Sequence, residues 1–379
     1  MPIYLDNAAS TPLDPEVFAV MASWLTDQVG NASSVQHAAG RAVATAVAHA
    51  REQVAALLHC TADEVVFTSC ATEACNLAIT GMLKPKLDRG EAVHIIAPLH
   101  EHPAVLEPVR QLARIGAAVT WVEPGASGVI DASHIEPHLR PETAMVACMA
   151  VNNETGTIND VATVRSVCRA HDVSLLVDAS QAPGRLAMDV FDSDLTVVSS
   201  HKMHGPQGAA ALAIRGQLTR AMIAPVLHGG GHEGGLRSGT LNGPAIVGMG
   251  EAAARAMATL PSEAPRQASL RDRLEHALLE IFPGSVVHGD TDQRVCGISM
   301  MSLATGSPGP VSQLVHAVAL SHGSACSSVG GSRSHVLEAM GCAPHVAASA
   351  VRLSLGRLTS EDDVAAAIDA FAAISPRAD

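Results

Sequence analysis

The amino-acid sequence predicts an α/β protein in which a mostly parallel β-sheet is covered by helices and joined to a smaller α+β domain. Short apolar runs alternate with helical stretches from about residue 40 to residue 250, and a glycine-rich segment covers residues 227–240. A separate set of apolar runs follows that segment. Because short apolar runs between helices are typical of βαβ units, the first region is expected to form the main sheet.

The predicted strands of the main sheet follow or precede helical stretches such as residues 41–58. They are Val65–Phe67, Val93–Ala97, Ala144–Val151, Leu175–Val177 and Leu195–Val198. Strands that helices bury on both faces are continuously apolar, which is the pattern here. Ligands bind at the carboxyl ends of the strands in such sheets, so functional residues are expected there.

The glycine-rich segment 227–240 is predicted to be neither helix nor strand, and a domain boundary is expected after it. A long helical stretch begins near Pro244. The runs Val286–His288, Val295–Met300 and Ala350–Leu355 then predict the strands of a smaller α+β domain. We expect a large domain over residues 15–255 and a small domain formed by residues 1–14 and 256–379.

Composition and charge indicate a globular protein and exclude several other classes. Of the 379 residues, 47% are hydrophobic and 16% are charged, which is far from the composition of disordered chains. The net charge of −13 disfavours direct nucleic-acid binding, because such a chain repels a phosphate backbone. The sequence opens with no basic and apolar leader and contains no run of about 18 apolar residues, so a cytoplasmic protein without membrane contact is expected.

Cysteine and histidine usage predicts neither a disulfide framework nor a metal site. The eight cysteines are scattered along a long chain, which is unlike the dense pattern of small disulfide-rich proteins. The 19 histidines include no H-E-x-x-H pair and no clustered ligand triad. The local sequence around each cysteine therefore indicates whether its thiol is buried or reactive.

A lysine and an aspartate follow two of the predicted strands. Lys202 lies in Ser199–Pro206, and Asp178 directly follows the run that ends at Val177. Adjacent strand ends would bring these two side chains together. Pyridoxal phosphate requires such a pair, because the lysine forms a Schiff base and the carboxylate keeps the pyridine nitrogen protonated. Taken alone, Lys202 also fits a surface lysine in a turn, and Asp178 also fits a helix N-cap.

A candidate phosphate site lies earlier in the chain. The segment Thr68–Glu73 falls between a predicted strand and a helical run. Backbone N–H groups and the Thr72 hydroxyl can therefore meet a phosphate at a helix N-terminus. Alone, this motif also fits a simple helix cap.

Motifs distributed along the chain resemble those of a known family. They are Tyr4–Ala9, Gly30–Ser34, Ala71–Glu73, Glu101–His102, Val151–Gly156, Val177–Gln181, Ser200–Lys202, Gly229–Glu233, Arg237–Thr240, Gly323–Cys326 and Val351–Arg357. In this order they resemble a cysteine desulfurase of the class V aminotransferase superfamily, from residue 4 to about residue 357. The resemblance implies the fold type I of pyridoxal-phosphate-dependent transferases, with a mostly parallel seven-stranded sheet, and a homodimer whose site is completed across the interface.

The resemblance also implies roles for individual residues at the cofactor. Lys202 would form the Schiff base, and Asp178 would contact the pyridine nitrogen. His102 would lie over the ring face, where an imidazole that titrates near neutrality could also move protons. The remaining contacts would come from Gln181 at the phenolic oxygen, from Ala71, Thr72, Ser199 and His201 at the phosphate, and from Thr240 of the other subunit.

Three further residues are expected to contact the substrate. The resemblance makes Arg352 the residue that grips the substrate carboxylate, since a planar guanidinium donates two parallel hydrogen bonds to that group. Asn153 would assist, with Asn31 nearby. A surface salt bridge is the ordinary alternative for Arg352.

Cys326 decides which reaction is predicted. Its neighbours are small and polar, whereas Cys148 and Cys296 lie in apolar runs and are expected to be inert buried thiols. A thiol with no core to hold it suits a nucleophile that reacts as a thiolate. The resemblance implies that L-cysteine binds the cofactor, that Cys326 attacks the substrate sulfur, and that a persulfide remains on Cys326 while alanine leaves.

Alternatives of two classes stay open. The first is another enzyme of the same fold, an aminotransferase or a selenocysteine lyase; transamination needs no nucleophilic thiol, so Gly323–Cys326 argues against it. The second is a noncatalytic sulfur-transfer scaffold, which the presence of Asp178, Lys202, Cys326 and Arg352 disfavours.

The sulfur acceptor and the role of Cys70 are also open. Relatives feed iron–sulfur scaffolds, thiolated tRNA or DNA phosphorothioation, the last being favoured on general likeness, and we expect an acceptor protein rather than direct nucleic-acid contact. Cys70 stands where relatives usually have glycine. Its spacing from Cys75 does not match a common zinc site. A packing role is expected for Cys70, and the alternative is a secondary reactive thiol near the phosphate.

Overall fold

The computed structural model describes residues 2–188, 192–305, 313–322 and 334–375. Within these ranges, no helix is long and apolar enough to cross a membrane. The helices are α1 Pro15–Thr26, α2 Ala38–Leu57, α3 Ala71–Asp88, α4 Pro103–Arg114, α5 Ala132–Ile135, α6 Val161–Ala170, α7 Gln217–Ala221, α8 Gly243–Ile281, α9 His335–Ala339, α10 Pro344–Ala347 and α11 Glu361–Ala373. The strands are β1 Ile3–Tyr4, β2 Val65–Thr68, β3 His94–Pro98, β4 Ala118–Val122, β5 Thr143–Ala147, β6 Ser174–Asp178, β7 Leu195–Ser199, β8 Ala210–Ile214, β9 Val286–His288, β10 Ile298–Ser302, β11 Val318–Ala319, β12 Ser321–His322 and β13 Ala350–Ser354.

The larger sheet has seven strands in the order β2-β8-β7-β6-β5-β3-β4. The strands from β7 to β4 in this order are parallel to one another, and β8 is antiparallel to both of its neighbours. Successive side chains point to opposite faces, so Ile95 and Ile96 belong to two different apolar cores beneath the covering helices. The predicted α/β fold with a mostly parallel sheet is confirmed.

Two strands of this sheet have no counterpart among the predicted apolar runs. β8 is rich in alanine, which is depleted in strands, and β4 is a partly exposed edge strand. Two predicted bounds also need correction. β5 ends at Ala147, and Val151 instead bridges to Ile158. β10 begins at Ile298 rather than at Val295.

A smaller, antiparallel sheet has the strand order β12-β13-β10-β9. β1 pairs in parallel with β11, and Asp6 forms a bridge with Ser354 at the end of β13. The N-terminal segment therefore contacts the elements of the small sheet.

Helix α8 runs without interruption from one apolar core to the other. Ala252 and Ala256 pack in the core of the larger sheet, whereas Leu270 and Leu274 pack in the core of the small sheet. The predicted boundary between residues 255 and 256 falls inside this helix. We propose that the two domains meet along α8, where its contacts pass from one core to the other.

The glycine-rich segment 227–240 forms no strand and contains only a short 3-10 helix, Glu233–Gly235. The carboxylate of Glu233 accepts hydrogen bonds from Arg51 Nη1 and Nη2 at 2.9 and 2.6 Å. It also accepts one from the backbone N–H of Phe67 at 2.7 Å. These contacts hold the segment against β2.

Candidate active site

A cavity of about 220 Å³ lies where β6 and β7 end and α3 begins. It collects ten of the side chains that the sequence predicts for the site. They are Ala71, Thr72, His102, Asn153, Asp178, Gln181, Ser199, His201, Lys202 and Arg352. Ala8, Ala9, Cys70, Ala104, Met149, Val151 and Ser180 complete the lining.

Lys202 is one of three lysines in the chain, and the other two, Lys84 and Lys86, lie in the C-terminal half of α3. It ends a short 3-10 helix, Ser200–Lys202, that follows β7 directly. Its Nζ donates hydrogen bonds to the carbonyl oxygens of Ala8 and Ala9 at 2.5 and 2.8 Å. The N-terminal segment therefore holds the amine at the cavity wall.

Asp178 is the last residue of β6 and pairs with Val197 of the neighbouring strand β7. Its Oδ1 accepts a hydrogen bond from the backbone N–H of Ser180 at 2.9 Å. Because β6 and β7 are adjacent and parallel, their carboxyl ends deliver Asp178 and Lys202 to one cavity. This juxtaposition is the one that the sequence predicts.

His102 precedes α4 and caps it with its imidazole ring. Nδ1 accepts a hydrogen bond from the backbone N–H of Ala104 at 3.1 Å, so the neutral ring carries its proton on Nε2. Burial lowers the pKa of His102, and the Lys202 ammonium adds to this effect, although the Asp178 carboxylate opposes it. A neutral imidazole therefore lines the cavity.

The N-terminus of α3 fits an anionic group. Cys70 is the N-cap of this 18-residue helix, and its side chain accepts no hydrogen bond from the helix. The first backbone N–H groups of α3 therefore have no side-chain acceptor from the cap residue. Ser199 Oγ is buried and has no partner among the described residues. Burial, together with the Lys202 ammonium, lowers the pKa of His201 to about 4, so that its ring is neutral at pH 7.

Cys70 is exposed and lines the cavity, which corrects the expectation of a packing role. Its φ of −163° is extended backbone that any residue adopts, so a side chain is accommodated here without backbone strain.

Arg352 lies in the middle of β13, and it is 1% exposed. Nη2 donates to Asp6 Oδ1 at 2.9 Å and to Ser321 Oγ at 3.0 Å, while Nη1 donates to the carbonyl oxygen of Asn153 at 2.8 Å. Its Nε is buried and without a partner among the described residues. The guanidinium is thus oriented by protein groups and retains a donor.

Gln181 is held at both ends of its amide. Nε2 donates to the carbonyl oxygen of Ala8 at 2.8 Å, and Oε1 accepts from Arg185 Nη1 at 2.8 Å. One N–H of the amide remains for a ligand, since the NH₂ group has two donors. Burial lowers the pKa of Arg185 to about 10, so it stays charged at pH 7.

Two of the predicted site residues do not line the cavity. Thr240 is exposed in the glycine-rich segment, and Asn31 is half-buried. The side-chain oxygen of Asn31 accepts a hydrogen bond from the backbone N–H of Ser33 at 2.9 Å. Cys326 lies outside the described residues. Of the thiols expected to be inert, Cys148 and Cys296 are both buried, which confirms that expectation of burial.

Some residues around the site have no role in the sequence interpretation. Asp6 orients Arg352, while Glu101 and Glu154 are both fully buried. All three lie inside the family-like motifs given above. Their position next to predicted functional residues was therefore the sequence signal that could have indicated a role. Nothing in the local pattern identifies their partners.

Glu101 is a buried acid beside the site. Its Oε1 accepts a hydrogen bond from the backbone N–H of Met149, and its Oε2 has no partner among the described residues. Burial raises the pKa of Glu101 from 4.5 to about 8, and the Asp178 carboxylate raises it further in the same direction, whereas the Met149 N–H opposes the shift. Glu101 is therefore mainly protonated at pH 7.

Replacing Glu101 with glutamine is expected to make stability less dependent on pH. Between pH 4.5 and about 8 the folded protein retains a proton that the unfolded chain releases, so this group's contribution to stability falls as the pH rises. The difference in melting temperature between Glu101→Gln and the wild type should shift in favour of the variant from pH 5 to pH 9. Exposed Glu136→Gln is the control, and parallel wild-type and Glu101→Gln curves would contradict the assignment.

The cavity fits pyridoxal phosphate. Four lining residues have buried polar atoms without partners among the described residues: Asn153 Oδ1, Ser180 Oγ, Ser199 Oγ and Arg352 Nε. An amine, a carboxylate, an uncapped helix N-terminus and a buried guanidinium are the groups that this cofactor and an amino-acid substrate require.

Comparison with known proteins places the chain in a family. Residues 3–366 match Aminotransferase class-V. "Cysteine desulfurase IscS" of Shewanella loihica is 42% identical over 373 residues, covering 97% of this chain and 91% of that protein. "Cysteine desulfurase IscS" of Anaeromyxobacter dehalogenans is 40% identical over 373 residues, covering 98% and 92%.

Solved structures agree with this placement. A "NIFS-LIKE PROTEIN" superposes with a TM-score of 0.90 at 30% identity, covering 99% of each chain. "SspA in complex with cysteine" gives 0.83 at 32% identity, covering 93% and 98%, and DndA from Streptomyces lividans gives 0.79 at 35% identity, covering 93% and 99%. The chain belongs to the aminotransferase class-V family of enzymes. Within that family it is a member of the cysteine desulfurases, which confirms the resemblance seen in its motifs.

Proposed function

We propose that this protein uses bound pyridoxal 5′-phosphate to convert L-cysteine into L-alanine and retains the sulfur as a persulfide on Cys326. The observation that carries the proposal is the convergence of Lys202, Asp178, His102 and Arg352 on one cavity. This set provides an amine, an acid partner, a neutral imidazole and a carboxylate-binding group.

Two different sets of residues around the cavity would hold the ring and the phosphate of the cofactor. Asp178 would hold a proton on the pyridine nitrogen, and the free amide N–H of Gln181 would reach the phenolic oxygen. When bound, the cofactor supplies an electron sink for a substrate carbanion. The phosphate would be held by the N-terminus of α3 at Ala71 and Thr72, with Ser199 and His201 as side-chain donors.

Arg352 would orient the substrate. Asp6, Ser321 and the carbonyl oxygen of Asn153 fix its guanidinium before substrate arrives, so little rotamer entropy is lost on binding. The free Nε offers a donor to the substrate carboxylate, and Asn153 would assist. Asn31 is retained as a further substrate contact on the basis of the family resemblance.

The sulfur step needs a nucleophile, and we assign it to Cys326. Its thiolate attacks Sγ of L-cysteine and forms the S–S bond as the Cβ–Sγ bond breaks. The bond-pair electrons return to the carbon skeleton, which takes up protons and leaves as L-alanine. The overall exchange, L-cysteine plus the Cys326 thiol giving L-alanine plus the Cys326 persulfide, is balanced in atoms and electrons. The neutral imidazole of His102, which lines the cavity, would take part in these proton transfers.

The protein would act as a homodimer that transfers the sulfur to an acceptor protein. Thr240 is exposed on the glycine-rich segment and does not line the cavity of its own chain, which suits a contribution to the phosphate site of a second copy. The net charge of −13 favours a protein acceptor over direct contact with nucleic acid. Iron–sulfur assembly, tRNA thiolation and DNA phosphorothioation remain the candidate destinations.

Product analysis of the purified protein tests the proposal. With pyridoxal phosphate and L-cysteine, we expect alanine and protein-bound persulfide in equal amounts during the first turnover. L-Selenocysteine and a panel of amino acids with 2-oxo acids test the two rival activities of the same fold. Amino-group transfer without persulfide, or a strong preference for selenocysteine over cysteine, would overturn the proposed function.

A further inference from the structure

Asp6 is a charged side chain in contact with the proposed carboxylate-binding group of the site. Its Oδ1 accepts hydrogen bonds from Arg352 Nη2 at 2.9 Å and from Ser321 Oγ at 2.8 Å. Ser321 Oγ in turn accepts from the same Nη2 at 3.0 Å. The side chain of Arg352 is 2% exposed and that of Asp6 is 19% exposed, so solvent screens this ion pair only weakly. A carboxylate of the protein therefore already lies against Arg352.

The backbone around Asp6 is fixed against β13. Asp6 forms a bridge with Ser354 at the end of this strand. The backbone N–H of Asn7 donates to the carbonyl oxygen of Ser354 at 3.1 Å, and that of Ala8 donates to Ser354 Oγ at 2.8 Å. Ser354 is two residues beyond Arg352 on β13, so both side chains are on the same face of the strand. These contacts hold the Asp6 carboxylate beside Arg352.

Arg352 is the cation that remains for a substrate carboxylate. Among the described residues that line the cavity, the charged side chains are those of Asp178, Lys202 and Arg352. Asp178 and Lys202 are assigned to the cofactor in the proposed function. Because the Asp6 carboxylate offsets the charge of Arg352, a substrate carboxylate is attracted less strongly than by an unpaired guanidinium.

The two carboxylates would also need the same nitrogen of the guanidinium. An arginine binds a carboxylate through two parallel N–H groups, which come either from Nε and Nη2 or from Nη1 and Nη2. Both pairs include Nη2, and Nη2 is the nitrogen that Asp6 and Ser321 contact. A substrate carboxylate bound by either pair would therefore lie next to the Asp6 carboxylate, and these like charges repel each other.

We propose that Asp6, besides positioning Arg352, competes for its Nη2 and thereby weakens the binding of substrate and product carboxylates. The charge of Asp6 acts equally on L-cysteine and on L-alanine, because both have the same carboxylate. Such uniform weakening raises KM without lowering kcat, and it favours release of the product. This inference rests on the proposed role of Arg352 in binding the substrate carboxylate.

The test compares Asp6→Asn with the wild-type holoenzyme by equilibrium binding of L-alanine, followed through the cofactor absorbance. The side-chain oxygen of asparagine still accepts from Arg352 Nη2, so the orientation is kept while the negative charge is removed. We expect Kd for L-alanine to fall about 10-fold, the scale of one charge interaction that is partly open to solvent. Kd for L-alaninamide, which has the amine but no carboxylate, should be unchanged. KM for L-cysteine should fall to a similar extent, with kcat within about 3-fold of the wild type.

Asp194→Asn is the matched control. Asp194 pairs with Arg165 at 2.6 Å, and its side chain is 20% exposed, close to the value for Asp6. It precedes the first residue of β7, whereas Ser199 of the cavity is the last residue of that strand. Because the same charge is removed far from Arg352, Kd for L-alanine should equal that of the wild type.

Unchanged or weaker binding of L-alanine by Asp6→Asn, or an equal gain for L-alaninamide, would overturn the inference. If Asp6→Asn does not fold, the wild type decides the question through its preference for L-alanine over L-alaninamide. Two hydrogen bonds from an uncompensated arginine give a preference above about 100-fold, so a value above this limit contradicts the competition and a value below it supports it. A wild-type protein that binds L-alanine but forms none from L-cysteine would instead refute the proposed function.

Discussion

Replacing Lys202 with alanine is expected to abolish turnover of L-cysteine and to remove the visible absorbance that the bound cofactor acquires through its lysine. The chain has three lysines, and Lys202 is the one that lines the cavity. No other amine of a lysine side chain can therefore replace it at this place. We expect kcat to fall by about 10³-fold or more, the scale associated with losing a positioned proton-transfer group, in addition to the loss of covalent attachment.

Absorption spectra and alanine assays measure this effect, and Lys84→Ala is the matched control because Lys84 is exposed on α3. Borohydride reduction of the wild-type protein, followed by peptide mass spectrometry, should locate the cofactor on Lys202 alone. Label on Lys84 or Lys86, or normal turnover by Lys202→Ala, would disprove the assignment.

Replacing Cys326 with serine is expected to prevent persulfide formation while leaving cofactor binding intact. A serine hydroxyl stays protonated at neutral pH and is a poor nucleophile toward sulfur, whereas a thiol reacts through its thiolate. We expect alanine formation to fall by more than about 10³-fold, as for the removal of other catalytic nucleophiles. The visible spectrum should be retained, because Lys202 and Asp178 remain in place.

Cys70→Ser and Cys342→Ser are the controls for this variant, since both thiols are accessible to some degree in the described structure. Mass spectrometry of the wild type after one turnover should find the additional sulfur on the peptide with Cys326. Persulfide on Cys70, which lines the cavity, together with an active Cys326→Ser variant, would move the nucleophile to that position.

The sequence was most informative where an apolar strand ends in a polar residue. The run before Asp178 and the run before Lys202 predict two buried strands, and neighbouring parallel strands must bring their carboxyl ends to one edge. The structure has this arrangement in β6 and β7. By contrast, the alanines of β8 carry little strand preference, and their conformation depends on pairing with β2 and β7 on either side.

Contacts between distant parts of the chain were not predictable in the same way. Asp6 and Arg352 are 346 positions apart, and Glu154 and Ser334 are 180 positions apart. Neither pair has a local pattern, because a hydrogen bond between side chains depends on where two backbones meet and not on the spacing of residue types. The exposure of Cys70 is a similar case, since a cysteine in sequence is equally compatible with a core and with a cavity wall.

Local patterns of apolar and polar residues were therefore enough to indicate the class of fold, the edge of the sheet that holds the site, and the pairing of Asp178 with Lys202 there. The roles of His102, Gln181 and Arg352 came from the family resemblance. The folded chain alone decided which atoms of those groups are already bonded, such as Nδ1 of His102 and Oε2 of Glu154, and which remain available to a ligand. The physical reason is that apolar burial follows the periodicity of a single strand or helix, whereas the pairing of buried polar atoms depends on the mutual positions of elements that are remote in sequence.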